Sequence, residues 1–150
     1  ERLLALTLYN KGHALQHDDR DRGYAAYGEL QKRFQPRRDH DLALFVAASY
    51  VNMGLEDYLH DRLDTAMSSY GAVVSRYGFI TEGQIGMQVY KAKFGQAEVY
   101  NAQRKFDEAL QILTEIGVTF GNSSDPVLRT TATDQAAELR AKVNKNRNSP

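Results

Sequence analysis

The sequence predicts an all-α protein, specifically an α-solenoid in which antiparallel helix pairs stack side by side. Three observations predict it: a segment that recurs at a fixed period, apolar residues at helical spacing, and prolines confined to connecting segments. The recurrence is direct, because residues 21–34 return as residues 64–77 and, more loosely, as residues 107–120, each 43 residues further on. Self-similarity at such a period is typical of stacked units that bury their apolar faces against their neighbours.

Apolar residues at three- and four-residue steps predict helices along the chain. Leu42, Phe45 and Val46 show this spacing, and no segment sustains the period-two alternation of a strand. Only three prolines occur, and none lies inside a periodic segment, where it would remove a backbone donor and clash with the preceding turn. We therefore predict long helices and no strands.

The period divides the chain into helical elements and units. The predicted helices run over about residues 2–17, 20–34, 41–59, 62–77, 81–103, 105–120 and 126–144. They form one domain over residues 1–144, with repeats at about 1–38, 39–80 and 81–123. The seventh helix has one apolar and one polar face and is predicted to cap the stack, since open solenoids need such ends for solubility. Residues 145–150 are predicted to be a disordered tail.

Start and stop residues support these boundaries. Thr81 and Gln84 have the spacing of a capping box at the start of the fifth helix. Asp125 precedes a proline and is predicted to be the N-cap of the seventh helix. Gly78 and Gly121 each follow an aromatic residue at a helix end, where we predict a left-handed conformation that glycine adopts most easily.

Composition restricts the function. Nineteen basic and nineteen acidic residues cancel, so the broad positive surface that binds nucleic acid is not expected. The chain contains no cysteine, which excludes disulfides and thiolate metal sites and favours a cytoplasmic location. No apolar stretch is long enough to span a bilayer. Because the sequence starts at Glu1 and carries no signal peptide, we expect a fragment of a larger cytoplasmic protein.

Paired small residues give the repeat a recognisable form. Gly54 is followed 12 positions later by Ala66, and Ala97 is followed 12 positions later by Ala109. In both units a larger side chain comes four positions after the second small residue. This pattern resembles the tetratricopeptide repeat over about residues 1–121. The period of 43 exceeds the usual 34, so the resemblance implies a long-helix variant, and we expect a right-handed superhelix of three repeats.

The resemblance implies a concave groove lined by the first helix of each pair. Such a groove holds an extended peptide or a partner helix in this family. Mapped onto matching positions, the predicted partner-binding residues are Tyr9, Asn10, His13, Gln16, Val51, Asn52, Leu55, Tyr58, Lys91, Phe94, Glu98 and Asn101.

Two details describe the expected partner. Asn10 and Asn52 occupy the same repeat position, because the first helices of the first two units are spaced by 42 rather than 43 residues. An amide can pair with a peptide backbone whatever the peptide's side chains are. A clamp for a C-terminal carboxylate would need two cations on the third unit. Lys91 is present, but Gly95 stands where the second cation belongs, so this alternative is disfavoured.

No constellation of residues predicts catalysis. The sequence lacks a phosphate-binding glycine loop, a nucleophile elbow and a histidine metal motif. His13 and His17 lie one helical turn apart, but without a third ligand we interpret them as solvated turn residues. We therefore predict a non-enzymatic protein-interaction module without cofactor or metal, a monomer rather than a homo-oligomer. Two alternatives stay open: a sensor domain that binds a small peptide or ligand for a separate effector domain, and a structural spacer or self-assembly module.

Overall fold

The computed structural model describes residues 1–37 and 39–150, and the regular structure in them is entirely α-helical. The seven helices are α1 (Arg2–Leu15), α2 (Arg20–Phe34), α3 (His40–Leu59), α4 (Leu63–Tyr77), α5 (Gly83–Ala102), α6 (Phe106–Phe120) and α7 (Pro126–Arg147). The predicted all-α fold is confirmed, and each helix end lies within three residues of its predicted position. No helix in this part of the chain combines the length and the apolar character that a membrane span requires.

The 43-residue period is present in the helices themselves. The helices α2, α4 and α6 each have 15 residues and begin 43 residues apart. The helices α3, α5 and α7 also begin 43 residues apart, so α7 stands where the first helix of a fourth unit would stand. It continues to Arg147, so residues 145–147, predicted to belong to a disordered tail, are helical.

The helices form two layers. Within each unit a turn of three or four residues joins the two helices, and so short a connection makes them antiparallel. The odd-numbered helices α1, α3, α5 and α7 each contact the next, whereas the even-numbered helices, in the described residues, contact only odd-numbered ones. Closer spacing in one layer curves a stack toward that layer, so the odd-numbered helices line the inner face. The right-handed sense of the superhelix stays a prediction.

A tyrosine from the outer layer fastens neighbouring units together. The ring of Tyr70 lies so close to Gly54 and Gly95 that a Cβ atom on either glycine would come within 2.6 or 2.3 Å of it. Tyr27, 43 residues earlier, packs in the same way against Gly12. Gly54, one of the paired small residues that the sequence singled out, therefore makes room for an aromatic side chain, and Gly12 and Gly95 do the same.

The predicted capping box at Thr81 is wrong. The helix α5 begins at Gly83, and its N-cap residue Glu82 makes no side-chain capping bond. The Glu82 carboxylate instead accepts hydrogen bonds from the Ser123 hydroxyl at 2.7 Å and the Ser124 backbone N–H at 3.0 Å. It thereby ties the connection before α5 to the connection before α7. Asp125 is the N-cap of α7, as predicted.

The left-handed turn residues lie elsewhere than predicted. Gly78 and Gly121 have φ values of −56° and −62°, which are right-handed, so that prediction is wrong. Positive φ values occur instead at Asp61 and Arg104, at 58° and 59° and 43 residues apart. In both turns the next amide donates to the carbonyl five residues before it, at 2.8 Å. This is the Schellman arrangement that closes a helix end.

Candidate functional site

A hollow of about 360 Å³ opens on the inner face, between α1, α3 and α5. Its volume lies within the range of small-molecule and side-chain pockets. The lining residues are Tyr9, Leu44, Phe45, Ala48, Gly83, Gln84, Met87, Gln88 and Asp125. Apolar side chains from α1, α3 and α5, the first helices of three successive units, therefore meet at one place, with amides and one carboxylate among them.

The repeat explains why these side chains converge. Leu44 and Met87 lie 43 residues apart and hold the same position in α3 and α5. Leu44 and Ala48 are one helical turn apart, so both point to the same face of α3. The Tyr9 ring packs against Phe45, with ring centres 5.8 Å apart, and completes the wall on the α1 side.

A second hollow of about 260 Å³ lies between α5 and α7. It is lined by Phe94, Glu98, Gln135, Glu138, Leu139 and Lys142. Burial raises the pKa of Glu98, and the nearby Lys142 ammonium opposes that rise. This hollow is more polar than the first, so the inner face changes in character along α5.

The structure brings only part of the predicted partner-binding set to these hollows. Tyr9 lines the first hollow, and Phe94 and Glu98 line the second. The other predicted residues divide by exposure: Asn10, His13, Leu55 and Lys91 are exposed, Tyr58 and Asn52 are half-buried, and Gln16, Val51 and Asn101 are buried.

The buried and half-buried amides in that set bond within the protein. The Asn52 amide donates to the hydroxyls of Tyr27 at 3.0 Å and Tyr9 at 3.2 Å. The Gln16 side-chain oxygen accepts from Tyr27, and the Asn101 side-chain oxygen accepts from Asn146. These positions face neighbouring helices, so the amide that was predicted to meet a peptide backbone at Asn52 joins two units instead.

Sequence reasoning missed Leu44, Met87 and Gln88. They lie one turn closer to the helix N-terminus than the positions that the usual repeat assigns to its groove. The sequence contained the information needed to find these residues, because the long helices α3 and α5 extend the inner face at their N-terminal ends. Leu44 precedes Ala48 by four residues, and Met87 precedes Lys91 by four residues.

A buried carboxylate joins the first two units away from the hollows. Asp57 is 1% exposed and accepts hydrogen bonds from Arg62 Nε at 2.6 Å, Tyr24 Oη at 3.0 Å and Arg20 Nη2 at 3.1 Å. Burial alone would raise the pKa of Asp57, but these donors outweigh it and hold the pKa below its ordinary value. Arg20 and Tyr24 belong to α2, so the cluster fixes α2 on the end of α3.

Two histidines flank the adjacent glutamate. The side chain of Glu56 is 4% exposed, and its carboxylate lies 2.8 Å from His17 Nδ1 and 3.3 Å from His60 Nδ1. His17 was interpreted as a solvated turn residue. It keeps an exposed edge but also connects the first inter-helix turn to α3. Across the described residues, no group of three or more His, Asp or Glu side chains is placed to hold a metal ion.

These features place the chain among helical-repeat proteins by architecture. Neither the family models, nor the curated proteins, nor the solved structures with which the chain was compared include a match to it.

Proposed function

We propose that this protein is a non-enzymatic interaction module that binds a peptide or a partner helix along the inner face of α1, α3 and α5. The first hollow is the observation that carries the proposal. It is concave, it is built by three successive units, and its floor is mostly apolar. Pockets with an apolar floor and a few polar groups are the usual anchors for a partner side chain.

The composition of the hollow indicates what it would hold. Leu44, Ala48 and Met87 offer dispersion contacts to an aliphatic or aromatic side chain. Methionine adapts its shape to different partners, which suits a site that accepts more than one side chain. Gln84 and Gln88 can pair with the backbone of the segment that carries the anchor.

The proposal retains the other sequence expectations. The resemblance to tetratricopeptide repeats supplies the use of the inner face, and the balanced charge argues against a nucleic-acid partner. In this proposal the protein is a cytoplasmic monomer that acts through a protein or peptide partner.

A peptide-display selection on the purified chain tests the proposal. We expect selected peptides to share an apolar anchor residue and to lose at least tenfold in affinity for Leu44→Asp and Met87→Asp, because each change puts a charge into the hollow. Val118→Asp is the matched control, since Val118 is 72% exposed on the outer helix α6 and should leave binding unchanged. Equal binding to all the variants would contradict the groove assignment.

A further inference from the structure

The second of the two tyrosines that join neighbouring units lacks the hydrogen bonds of the first. Tyr27 and Tyr70 lie 43 residues apart and hold the same repeat position. The Tyr27 hydroxyl donates to Gln16 at 3.2 Å and accepts from Asn52 at 3.0 Å. Tyr70 is only 2% exposed, yet its hydroxyl makes no hydrogen bond to any residue that the structure describes. Because buried polar groups normally have a partner, this hydroxyl points to a group that comes from outside the chain.

The repeat explains why the partners are missing. Gly95 stands 43 residues after Asn52, and Tyr58 stands 42 residues after Gln16, so both amides are replaced at the second interface. A Cβ atom on Gly95 would lie 2.3 Å from the Tyr70 ring carbon that bears the hydroxyl. The Tyr70 hydroxyl therefore lies beside α5, where glycine leaves the space of an amide side chain empty.

A carboxylate lies next to this hydroxyl. Glu98 follows Gly95 by three residues, so it projects from the same side of α5 about one turn further on. Burial raises the pKa of Tyr70 and of Tyr58, and the Glu98 charge raises both further. The Glu98 carboxylate is therefore close to two phenol hydroxyls, one from α3 and one from α4.

Glu98 also lacks a bonding partner. It is half-buried, and in residues 1–37 and 39–150 it makes neither a hydrogen bond nor an ion pair. Lys142 of α7 influences it through its charge without forming an ion pair. A carboxylate that is partly removed from water is stabilised by a cation that brings its own N–H donors.

The second hollow, where Glu98 lies, has the other properties that a basic side chain requires. Phe94 precedes Glu98 by four residues and presents its ring on the same side of α5. An aromatic face attracts a cation and packs against its apolar stem. The charged residues in the lining are Glu98, Glu138 and Lys142, so two carboxylates face one ammonium and the balance is negative.

We propose that the second hollow binds a lysine or arginine side chain of the partner segment, held by the Glu98 carboxylate and the Tyr70 hydroxyl. This inference rests on the proposed function, because it assigns a second anchor to the same segment. Met87 of the first hollow lies 11 residues before Glu98, which is about three turns and about 16 Å along the same side of α5. An extended segment covers that distance with about five residues.

A tethered ammonium tests the hollow without any peptide. The chain has no cysteine, so Gln135→Cys places a single thiol in the lining of the hollow. An aminoethyl group attached there through a disulfide should give a melting temperature a few degrees above that of an attached propyl group, because the tether concentrates the ammonium beside Glu98. Glu98→Gln should remove this difference. Equal melting temperatures for the two tethers in the chain that keeps Glu98 would overturn the proposal.

Two tyrosine variants test the role of the hydroxyl. Tyr27→Phe removes two hydrogen bonds and should lower the melting temperature by several degrees, whereas Tyr70→Phe removes a hydroxyl without a partner and should not lower it. Tyr70→Phe should also reduce the advantage of the ammonium tether. Equal destabilisation by the two variants would show that the Tyr70 hydroxyl is already bonded within the protein, and would overturn its assignment.

Peptides selected by display on the purified chain test the link between the two hollows. Those with an apolar anchor should carry lysine or arginine about five residues away and lose at least tenfold in affinity for Glu98→Gln. Glu108→Gln is the matched control, because it makes the same change at an exposed position of α6. Lys142→Gln should strengthen binding, since it removes a like charge from the hollow.

The two experiments separate failure of this inference from failure of the proposed function. Selected peptides with an apolar anchor and no basic residue would overturn the inference and leave the proposed function intact. Weaker binding of basic peptides to Lys142→Gln would also overturn it, because the hollow would then receive an acidic group. A tether difference that depends on Glu98, found where no peptide is selected, would support the cation site and contradict the proposed function.

Discussion

At the scale of single residues, Asp57 is the polar group on which the first inter-unit contact depends. Its carboxylate accepts from two arginines and a tyrosine while it is almost fully buried. We expect Asp57→Asn to lower the free energy of unfolding at pH 7 by about 2 kcal/mol, the scale of charged hydrogen bonds. The figure stays moderate because the Arg20 and Arg62 side chains are 39% and 33% exposed and can turn to water. Urea denaturation measures it.

The pH dependence of that difference follows from the lowered pKa of Asp57. A carboxylate whose folded pKa lies below its unfolded value of 3.8 contributes stability above pH 4 and loses it as the pH falls through the folded pKa. The difference in unfolding free energy between the original protein and Asp57→Asn should therefore be full at pH 6 and shrink below pH 4. Asp134→Asn is the exposed control. A gap that stays constant down to pH 2.5 would contradict the assignment.

The left-handed turn at Asp61 carries avoidable strain. The left-handed conformation at φ 58° costs a non-glycine residue roughly 1–2 kcal/mol of folding free energy. Glycine removes this cost, but part of the gain is lost because glycine has greater conformational freedom in the unfolded chain. We expect Asp61→Gly to raise the free energy of unfolding by roughly 0.5–1 kcal/mol. Thermal and urea unfolding measure the change. Asp61→Val should destabilise, and a stabilising valine would show that the turn is not left-handed.

At the scale of elements, the contact of Tyr70 with two glycines sets the distance between α3, α4 and α5. A Cβ atom on Gly95 would lie 2.3 Å from the Tyr70 ring. Overpacking of this kind costs about 1–3 kcal/mol, so Gly95→Ala should destabilise by roughly 2 kcal/mol. Gly71→Ala is the matched control in α4, where a Cβ meets nothing within 4 Å, and it should stabilise slightly through helix propensity.

Differential scanning calorimetry of the two variants shows whether steric overlap with Tyr70 or helix propensity determines the effect of the added methyl group. If Gly95→Ala were as stable as Gly71→Ala, the close approach of Tyr70 would not be real. Tyr70→Leu combined with Gly95→Ala should recover part of the loss, because the shorter side chain leaves room for the added methyl group.

The helices could be predicted because their determinants are local. Apolar spacing and the 43-residue period depend on neighbours in sequence, and they placed α2 and α6 almost to the residue. The start of α5 could not be predicted, because Glu82 finds its partners about 40 residues away at Ser123 and Ser124. The turn at Asp61 was equally hidden, because an aspartate there adopts the left-handed conformation that sequence rules assign to glycine.

The candidate site was predictable in part for a similar reason. Tyr9 follows from the repeat position alone. The role of Asn52 does not, because only the packed structure shows that its amide meets Tyr27 of the preceding unit. Leu44 and Met87 required the knowledge that the additional turns of α3 and α5 extend the inner face at their N-terminal ends.

At the scale of the whole molecule, α7 covers the apolar surface of the third unit. It buries Leu128, Ala132, Ala136, Leu139 and Val143, and it contacts both α5 and α6. Burying a leucine or valine stabilises by about 1.5–3 kcal/mol, so the three large side chains together contribute roughly 4.5–9 kcal/mol before opposing entropy. That is comparable with the total stability of many domains, which is about 5–15 kcal/mol.

A chain that ends at Ser124 should therefore be close to unfolding. Tyr90, now 1% exposed, would lose the cover of α7, and the new end would present apolar surface to solvent. We expect a fall of more than about 10 °C in melting temperature, or aggregation, measured by circular dichroism and light scattering. A chain that ends at Asn144 is the control, since it keeps all five buried residues of α7. If the shorter chain were as stable as this control, the stack would be complete with three units, and α7 would not be its cap.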